Sequence, residues 1–459
     1  MFSALAENNG VYSSMVADLA KGRVIVTYGR SLMALTIAQS LGSRGVEVIG
    51  CDDVGLTALS FSRYAKKHFV HASATADPDR FIDDLEVAII RHKPADDRPY
   101  VLMPCFQETR LIARHAERLS RHIKVAAPAI EAIRAVDPKD RLMRTARRLN
   151  LRIPSTWTGE ELASGVLPGP VTFPVIVKPP LGVGGRGVRR ISDADQLATA
   201  LSDWLQEGRS MLVQDFVAGE DYCLTALFDR GVLKASAAYH NLSQFPRGVG
   251  AGVLRETVGD APFLETARAL FGSLGWTGVV EIDFRWDGSS APQLIEVNPR
   301  FWAGLFHTVE SGVDFPWMLY ELVVAGEVTT PATPKLGQRT KVGGLYLLSA
   351  IQEVAESDEG FALAKAAWAA AAQKFQSGRL PAAARELARA ITEGPDMARA
   401  AVRLRAALRS AENAPNELFR SEDPLVSLGA LFIVASLLRY GRLPPEIKYD
   451  PTGRDLMVD

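Results

Sequence analysis

Two neighbouring apolar runs set polar side chains among β-formers, and this pair constrains the chain more than any other stretch. Val279-Val-Glu-Ile-Asp-Phe-Arg285 and Leu294-Ile-Glu-Val-Asn-Pro-Arg300 are rich in β-branched and aromatic residues, and Gly288-Ser-Ser supplies a turn between them. They read as adjacent strands. Side chains alternate faces along a strand, so Glu296, Asn298 and Arg300 share one face. Asp283, Glu296 and Asn298 are hard oxygen ligands, and Arg300 is a fixed cation two residues beyond the last of them. Mg²⁺ takes a few protein oxygens and fills its shell with phosphate and water, so this edge suits a metal-bound nucleoside triphosphate.

The 459 residues leave room for two or three domains with ample core. With 52 basic against 53 acidic residues, nothing favours wholesale binding to nucleic acid or an anionic membrane. Cys51, Cys105 and Cys223 form no CxxC pair, which argues against a disulfide framework or zinc site and for small buried hydrophobes. The N-terminus has no basic start followed by an apolar core, and the apolar run Leu425 to Leu438 is too short to span a bilayer. That run is expected to be a buried helix, and a cytoplasmic location is expected for the chain.

Residues 1–22 read as a leader. Arg23–Gly29, Leu32–Leu41 and Val46–Cys51 follow as strand, helix and strand, the spacing of a right-handed βαβ unit. A helix over Pro78–His92, a strand at Tyr100–Pro104 and a helix over Glu108–Leu119 continue the alternation. Asp137 as cap and Pro138 as first helical residue open a helix to Leu149. Strands are expected at Val175–Lys178, Met211–Phe216, Tyr222–Phe228, Leu233–Tyr239, Val279–Arg285 and Gln293–Val297, with helices over Ala194–Glu207 and Pro262–Leu274. Beyond about residue 350 the chain turns Ala-rich, with helices at Phe361–Gln376, Ala382–Ile391, Met397–Ala411 and Val426–Tyr440.

Lys178 ends a strand and leads into Gly182-Val-Gly184-Gly185-Arg-Gly187. Glycines let backbone N–H groups approach phosphate oxygens, and the lysine adds a point charge. The lysine precedes the glycines, so this is no P-loop, and a plain hairpin turn is the competing reading. Leu212-Val-Gln-Asp-Phe-Val217-Ala-Gly-Glu-Asp221 is an extended segment able to offer backbone groups to adenine, or else an edge strand and turn.

Taken in order, Asp137-Pro-Lys139, the lysine with its glycine loop, Gln-Asp-Phe-Val…Gly-Glu-Asp and Glu-Ile-Asp-Phe…Glu-Val-Asn-Pro-Arg resemble the ATP-grasp superfamily over roughly residues 20–330. Asn298-Pro-Arg-Phe-Trp-Ala-Gly-Leu and Ser311-Gly-Val-Asp-Phe-Pro316 look like its carbamoyl-phosphate-synthase-like branch of carboxylate–amine ligases. The resemblance implies an α/β and α+β multidomain chain. A Rossmann-like domain (23–127) would precede an ATP-grasp domain (128–345, lid about 150–215) of two α+β subdomains gripping ATP, followed by a mainly helical C-terminal extension (346–459).

It also implies roles. Lys139 and Lys178 match the phosphate lysines, Gly184, Gly185 and Gly187 the mobile loop, Gln214, Phe216 and Val217 the adenine hinge, and Asp221 the ribose position. Asp283, Glu296 and Asn298 match the ligands of one or two Mg²⁺ (or Mn²⁺), and Arg300 the arginine that steadies an acyl phosphate; Glu281 is held as an outer ligand. Arg300, Lys178 and Arg255 are the expected catalytic residues, and His240, Arg247 and Arg255 the candidates for gripping an anionic substrate. For Arg247 a solvated loop and for Arg255 a structural ion pair compete, and His307 reads as a packed histidine. Gly29-Arg-Ser lacks GxGxxG, so a dinucleotide at the first βα turn is not expected, and Asp52 and Asp53 are read as ending a strand.

The function implied is ATP-dependent joining of a small carboxylate to an amine through an acyl phosphate, releasing ADP and phosphate. An ATP-grasp carboxylase or carbamoyl-phosphate-type enzyme acting on bicarbonate, and a nucleotide-binding module without turnover, are the alternatives. The helical tail is left to complete the pocket, make a homodimer contact or dock a partner.

Overall fold

The computed structural model describes residues 19, 21–159, 161, 171–182, 184–206, 210–248, 250–377, 379–418 and 421–440. Most of the expected leader, and parts of the expected lid, lie outside these. The chain divides into two compact units, one from residues 1–241, 256–338 and 417–459, the other from 242–255 and 339–416.

The first unit opens with a parallel sheet of β1 (Arg23–Val26), β2 (Glu47–Asp52), β3 (Ala65–Val70), β4 (Tyr100–Met103) and β5 (Lys124–Val125), in the order β3-β2-β1-β4-β5. Central β1 reads as an unbroken apolar run because both its faces are covered. The helix Leu32–Gly42 starts where the Ser31 side chain accepts from the Ala34 N–H, and it is buried from Met33 to Leu41. The helix Pro78–Arg91 starts at Asp77 and buries Phe81, Ile82, Leu85, Ala88 and Ile89 at helical spacing. β3 was not anticipated. It is an edge strand whose exposed Lys66, Lys67 and His68 mask any apolar alternation.

The single helix expected over Glu108–Leu119 divides at His115 into Glu108–Arg114 and Ala116–Leu119. Glu108 is turned inward. Its carboxylate accepts from the Thr27 hydroxyl and from the N–H groups of Cys105 (3.1 Å) and Phe106 (3.0 Å), which fixes the loop after β4.

β6 (Thr156–Thr158), β7 (Val175–Lys178), β8 (Arg189–Ile191) and β9 (Leu212–Asp215) form an antiparallel sheet in the order β6-β9-β7-β8. The helix Ala194–Gln206 lays Leu197, Ala200 and Trp204 on it, around Trp157 and Val177, as a small core of its own.

β10 (Glu220–Asp229), β11 (Val232–Phe245), β12 (Ala251–Val258), β13 (Gly278–Trp286) and β14 (Gln293–Asn298) follow in the spatial order β14-β13-β10-β11-β12. One face carries Leu224, Ala226, Phe228, Val280, Ile282 and Phe284 against the helices Lys139–Arg148 and Ala261–Ser273. The other carries Cys223, Glu281 and Asp283. In register, Asp283 stands opposite both Glu296 and Cys223, and Glu281 opposite Asn298, with an irregularity after Asp283. β12 was not expected as a strand, because its apolar positions are interrupted by Arg255 and Glu256.

The run Leu425–Leu438 corrects another expectation. It is a 3₁₀ stretch, Pro424–Leu431, followed by the helix Phe432–Tyr440, and Leu425, Leu428 and Leu438 are exposed. Backbone fit replaces apolar burial here. A Cβ on Gly429 would come within 2.6 Å of Ala58 Cα, while Asp423 accepts from the Ser62 hydroxyl and the Arg63 N–H.

The second unit holds β15 (Arg339–Lys341) and the helices Gly343–Glu356, Glu359–Gln376, Leu380–Thr392 and Met397–Ser410. Its cluster gathers Val253, Leu254, Tyr346 and Ala411, and the Tyr346 hydroxyl donates to Ala407 O at 2.7 Å. The first of these helices was not anticipated. Among the described residues no helix is long and apolar enough to cross a membrane.

Candidate functional site

The β10–β13–β14 register converges three carboxylates and an amide. The Asn298 amide donates to Glu281 Oε2 and Asp283 Oδ2, both at 3.2 Å, and its oxygen accepts from Arg300 Nη2 at 2.9 Å. Tyr239 OH donates to Glu281 Oε1 at 2.6 Å, and the Cys223 thiol donates to Asp283 Oδ1 at 3.1 Å. Burial pushes the Asp283 carboxyl well up, and the charges of Glu281 and Glu296 add to it. Burial likewise raises the Cys223 thiol, which stands as a donor rather than a thiolate.

Glu296 turns toward Lys139, whose Nζ lies 3.1 Å from Glu296 Oε1 and 3.3 Å from Gly182 O. Lys178, at the end of β7, donates to Gln214 Oε1 at 2.8 Å, and the Gln214 amide donates to Thr156 Oγ1 at 2.8 Å. Lys178 is pulled down to about 8, by burial first and then by the charge of Lys139, with Glu296 and Asp283 acting the other way. Gly184, Gly185 and Gly187 have φ of 61°, 71° and 74°, a backbone that side-chain-bearing residues resist.

Gln214 thus contacts Lys178, one of the two lysines expected at the phosphates. Phe216 carries the Arg190 guanidinium 4.5 Å over its ring. Asp221 pairs with Arg285 at 2.7 Å, and Arg285 Nε reaches Val217 O at 3.4 Å, so Val217 and Asp221 are tied through one cation.

Arg300 is nearly buried. It donates to Phe301 O at 2.7 Å and stacks 4.6 Å from the Phe106 ring centroid. Beside it, Phe106, Arg110, Asp137, Gly182 and Asn298 line a cleft. The helix after Pro138 begins at Lys139, with Pro138 itself in the cap position. Asp137 makes no cap bond; its carboxylate lies 3.7 Å from Arg110 Nη1, and burial raises its pKa.

The anion-gripping candidates lie on β11, on β12 and in the loop between them. His240 stacks on Tyr222 at 4.5 Å and pairs with Glu220 at 2.7 Å; strand alternation puts it on the face opposite Glu281 and Asp283. Arg247 pairs with Glu353 (2.7 Å) and Glu356 (3.4 Å) inside the second unit. Arg255 is buried on β12, also in that unit. His307 is packed, with Nε2 3.0 Å from Thr257 Oγ1, and Asp52 and Asp53 are held by Arg30.

Tyr239, Cys223, Phe106 and Arg110 were missed from sequence. Antiparallel alternation alone would have placed Tyr239 and Cys223 on the acidic face. Nothing local marks Phe106 or Arg110, which reach the cleft through tertiary folding.

A buried carboxylate crowded by two others is a site that a cation relieves. Glu281 and Asp283, with Glu296 and the Asn298 oxygen, are the hard donors Mg²⁺ prefers, and the protonated thiol does not compete. The Asn298 amide now turns its NH₂ to the carboxylates; to offer its oxygen to a cation it would reverse.

Residues 138–304 match the family model described as an ATP-grasp domain. An uncharacterized protein of Sinorhizobium fredii is 32% identical over 149 residues, 28% of this chain and 29% of that one, so the match spans under a third of the relative. Among solved structures, biotin carboxylase from Campylobacter jejuni aligns over 70% of this chain and 75% of its own, at 17% identity and a TM-score of 0.54. L-amino acid ligase from Bacillus licheniformis aligns over 68% and 78%, at 14% identity and 0.52. N5-carboxyaminoimidazole synthetase from Staphylococcus aureus aligns over 69% and 80%, at 14% identity and 0.53. The chain carries an ATP-grasp domain over residues 138–304, set after a parallel α/β sheet and followed by helices.

Proposed function

We propose that the protein is an ATP-dependent ligase that phosphorylates a substrate carboxylate and passes the acyl group to an amine, releasing ADP and phosphate. One arrangement carries the reading: two buried lysines face an acidic strand pair that leads into Arg300. Phosphoryl transfer needs position and charge neutralisation more than a protein nucleophile. Lys139 and Lys178 would hold the phosphates, with Gly184, Gly185 and Gly187 closing over them. Gln214, Phe216, Val217 and Asp221 would border the nucleoside. Asp283, Glu296 and Asn298, with Glu281 beside them, would hold Mg²⁺, which when bound supplies charge neutralisation between the phosphates. Arg300 would steady the acyl phosphate, and loop closure would shield it from water. On this reading residues 23–127 are the domain preceding an ATP-grasp domain at 128–345, and the site works in the cytoplasm on small molecules.

The test is ADP release from Mg·ATP with pooled carboxylates and amino acids, and hydroxylamine present to trap acyl phosphates as hydroxamates. Hydroxamate formed in step with ADP supports the ligase. ADP released only with bicarbonate replaces it with a carboxylating or carbamoyl-phosphate-type reaction, and Mg·ATP binding with no ADP under any condition replaces it with a nucleotide-binding module.

A further inference from the structure

We propose that Arg110, with the hydroxyl of Thr109, holds the carboxylate that is to be activated, so that a guanidinium from the helix following β4 faces Arg300 across the substrate. This rests on the ligase reading above and names a substrate-binding residue for it.

The cleft beside Arg300 has two guanidinium groups on its walls, and they differ in how they are used. Arg300 is engaged on every side, by Asn298 Oδ1, Phe301 O and the Phe106 ring. Arg110 is not. Its Nε and Nη1 are shielded from solvent yet have no hydrogen-bond partner among the described residues, and its nearest anion, Asp137, stands off at 3.7 Å. The neighbouring Thr109 is 3% exposed, lines the same cleft, and its Oγ1 also lacks a partner among the described residues. Three buried polar atoms left unmatched on two adjacent residues that line one cleft cost stability. An anion that reaches them offsets that cost, because hydrogen bonds to a charged group are the strong ones.

The position is also prepared. Glu108, one residue before Thr109, is pinned by Thr27 and by the N–H groups of Cys105 and Phe106, so the start of this helix has little freedom to drift. The Phe106 ring and Leu181 supply apolar wall beside the polar pair. The chemistry that fits is a compact organic acid whose carboxylate lies toward Arg110 and Arg300 and whose first carbons lie against Phe106.

The experiment uses acetyl phosphate as the acyl phosphate probe, titrated calorimetrically into full-length protein saturated with Mg·ADP. Arg110→Met is expected to weaken acetyl phosphate binding at least about tenfold, the loss of one charge-assisted hydrogen bond. Its Mg·ADP affinity should stay within about twofold of wild type, a split that a merely structural role would not produce. Thr109→Val should weaken the probe by a smaller factor and also spare Mg·ADP. If Arg110→Met fails to fold, Arg110→Lys is read in its place, with a loss of at least about threefold expected because the fork is gone. Wild-type affinity for acetyl phosphate in the folded Arg110 variant overturns the inference and leaves the ligase reading standing, as does wild-type protein that takes up Mg·ADP but no acetyl phosphate. Wild-type protein that takes up no Mg·ADP overturns the ligase reading and this inference with it.

Discussion

Lys178 is a cation where burial works against its charge, and it sits near 8 instead of in the usual lysine range. Triphosphate favours the charged form, so on the proposed function Mg·ATP affinity should be flat below about pH 8 and fall by up to about tenfold per pH unit above it. Calorimetry between pH 7 and 9.5 in two buffers of different ionisation enthalpy checks this. Up to about one proton should be taken up on binding at the alkaline end, and none at pH 7. The effect on folding has the opposite sign. The folded value lies below the unfolded one, so the charge costs stability below about pH 8 and that cost is relieved as pH rises through it. Glu296 is the other residue on which the site turns, since it faces Lys139 and adds charge beside Asp283. Glu296→Ala should lower ATP turnover at least about a hundredfold while the melting temperature moves little, because the side chain is partly exposed. Unchanged turnover in steady-state assays would remove the metal role assigned to it.

The strands that carry the site depend on one sharp entry into β10. Gly219 has φ of 109°, and a Cβ there would lie 2.5 Å from Trp286 O, backbone against backbone. Gly219→Ala should therefore lower unfolding free energy by roughly 2–4 kcal/mol in urea titrations, and disturb Asp221 and its Arg285 partner two residues on. Elements of this kind divide by how plainly their pattern reads. Val175–Lys178 is found where its residues place it, and the helix Pro78–Arg91 ends within one residue of expectation. β12 escaped because charged residues interrupt its alternation, and β3 because its exposed basic residues do. The helix expected from Val426 is 3₁₀ in its first half because backbone packing on Ala58 decides it, which no periodicity encodes.

Within the first unit two parts make few demands on the rest. The β6–β9 sheet closes a small core around Trp157, Trp204 and Val213. A core of that size opens cheaply, so amide exchange over 171–182, 184–206 and 210–215 should be fast relative to β10 and β13. On the proposed function it should slow at least about tenfold when Mg·ATP joins Lys178 to the acidic strands; exchange indifferent to nucleotide would dissociate this sheet from the site. The C-terminal segment 421–440 returns to the parallel sheet, with Phe432 over Arg30, Tyr440 OH on Asp53 O and Asp423 on Ser62. Asp423→Ala should speed exchange at 423–440 and cost about 1–3 kcal/mol of stability, leaving Mg·ATP affinity unchanged.

The residues alone were enough to find the strand pair of β13 and β14, the lysine before its glycines, and the alternating α/β start. Each of these is a local pattern, set by side-chain alternation, turn chemistry and the backbone freedom of glycine. Tertiary structure decided which polar groups meet. Glu281 and Asp283 share one face of β13, cross-strand register sets Asn298 and Glu296 opposite them, and Glu296 turns to Lys139 on a helix far earlier in the chain. His240 falls on the opposite face, and Arg110 arrives in the cleft from the helix that follows β4. Coulomb forces, desolvation and hydrogen-bond geometry act through distances in space. The sequence records only neighbours along the chain, so it names the donors and leaves their partners to the fold.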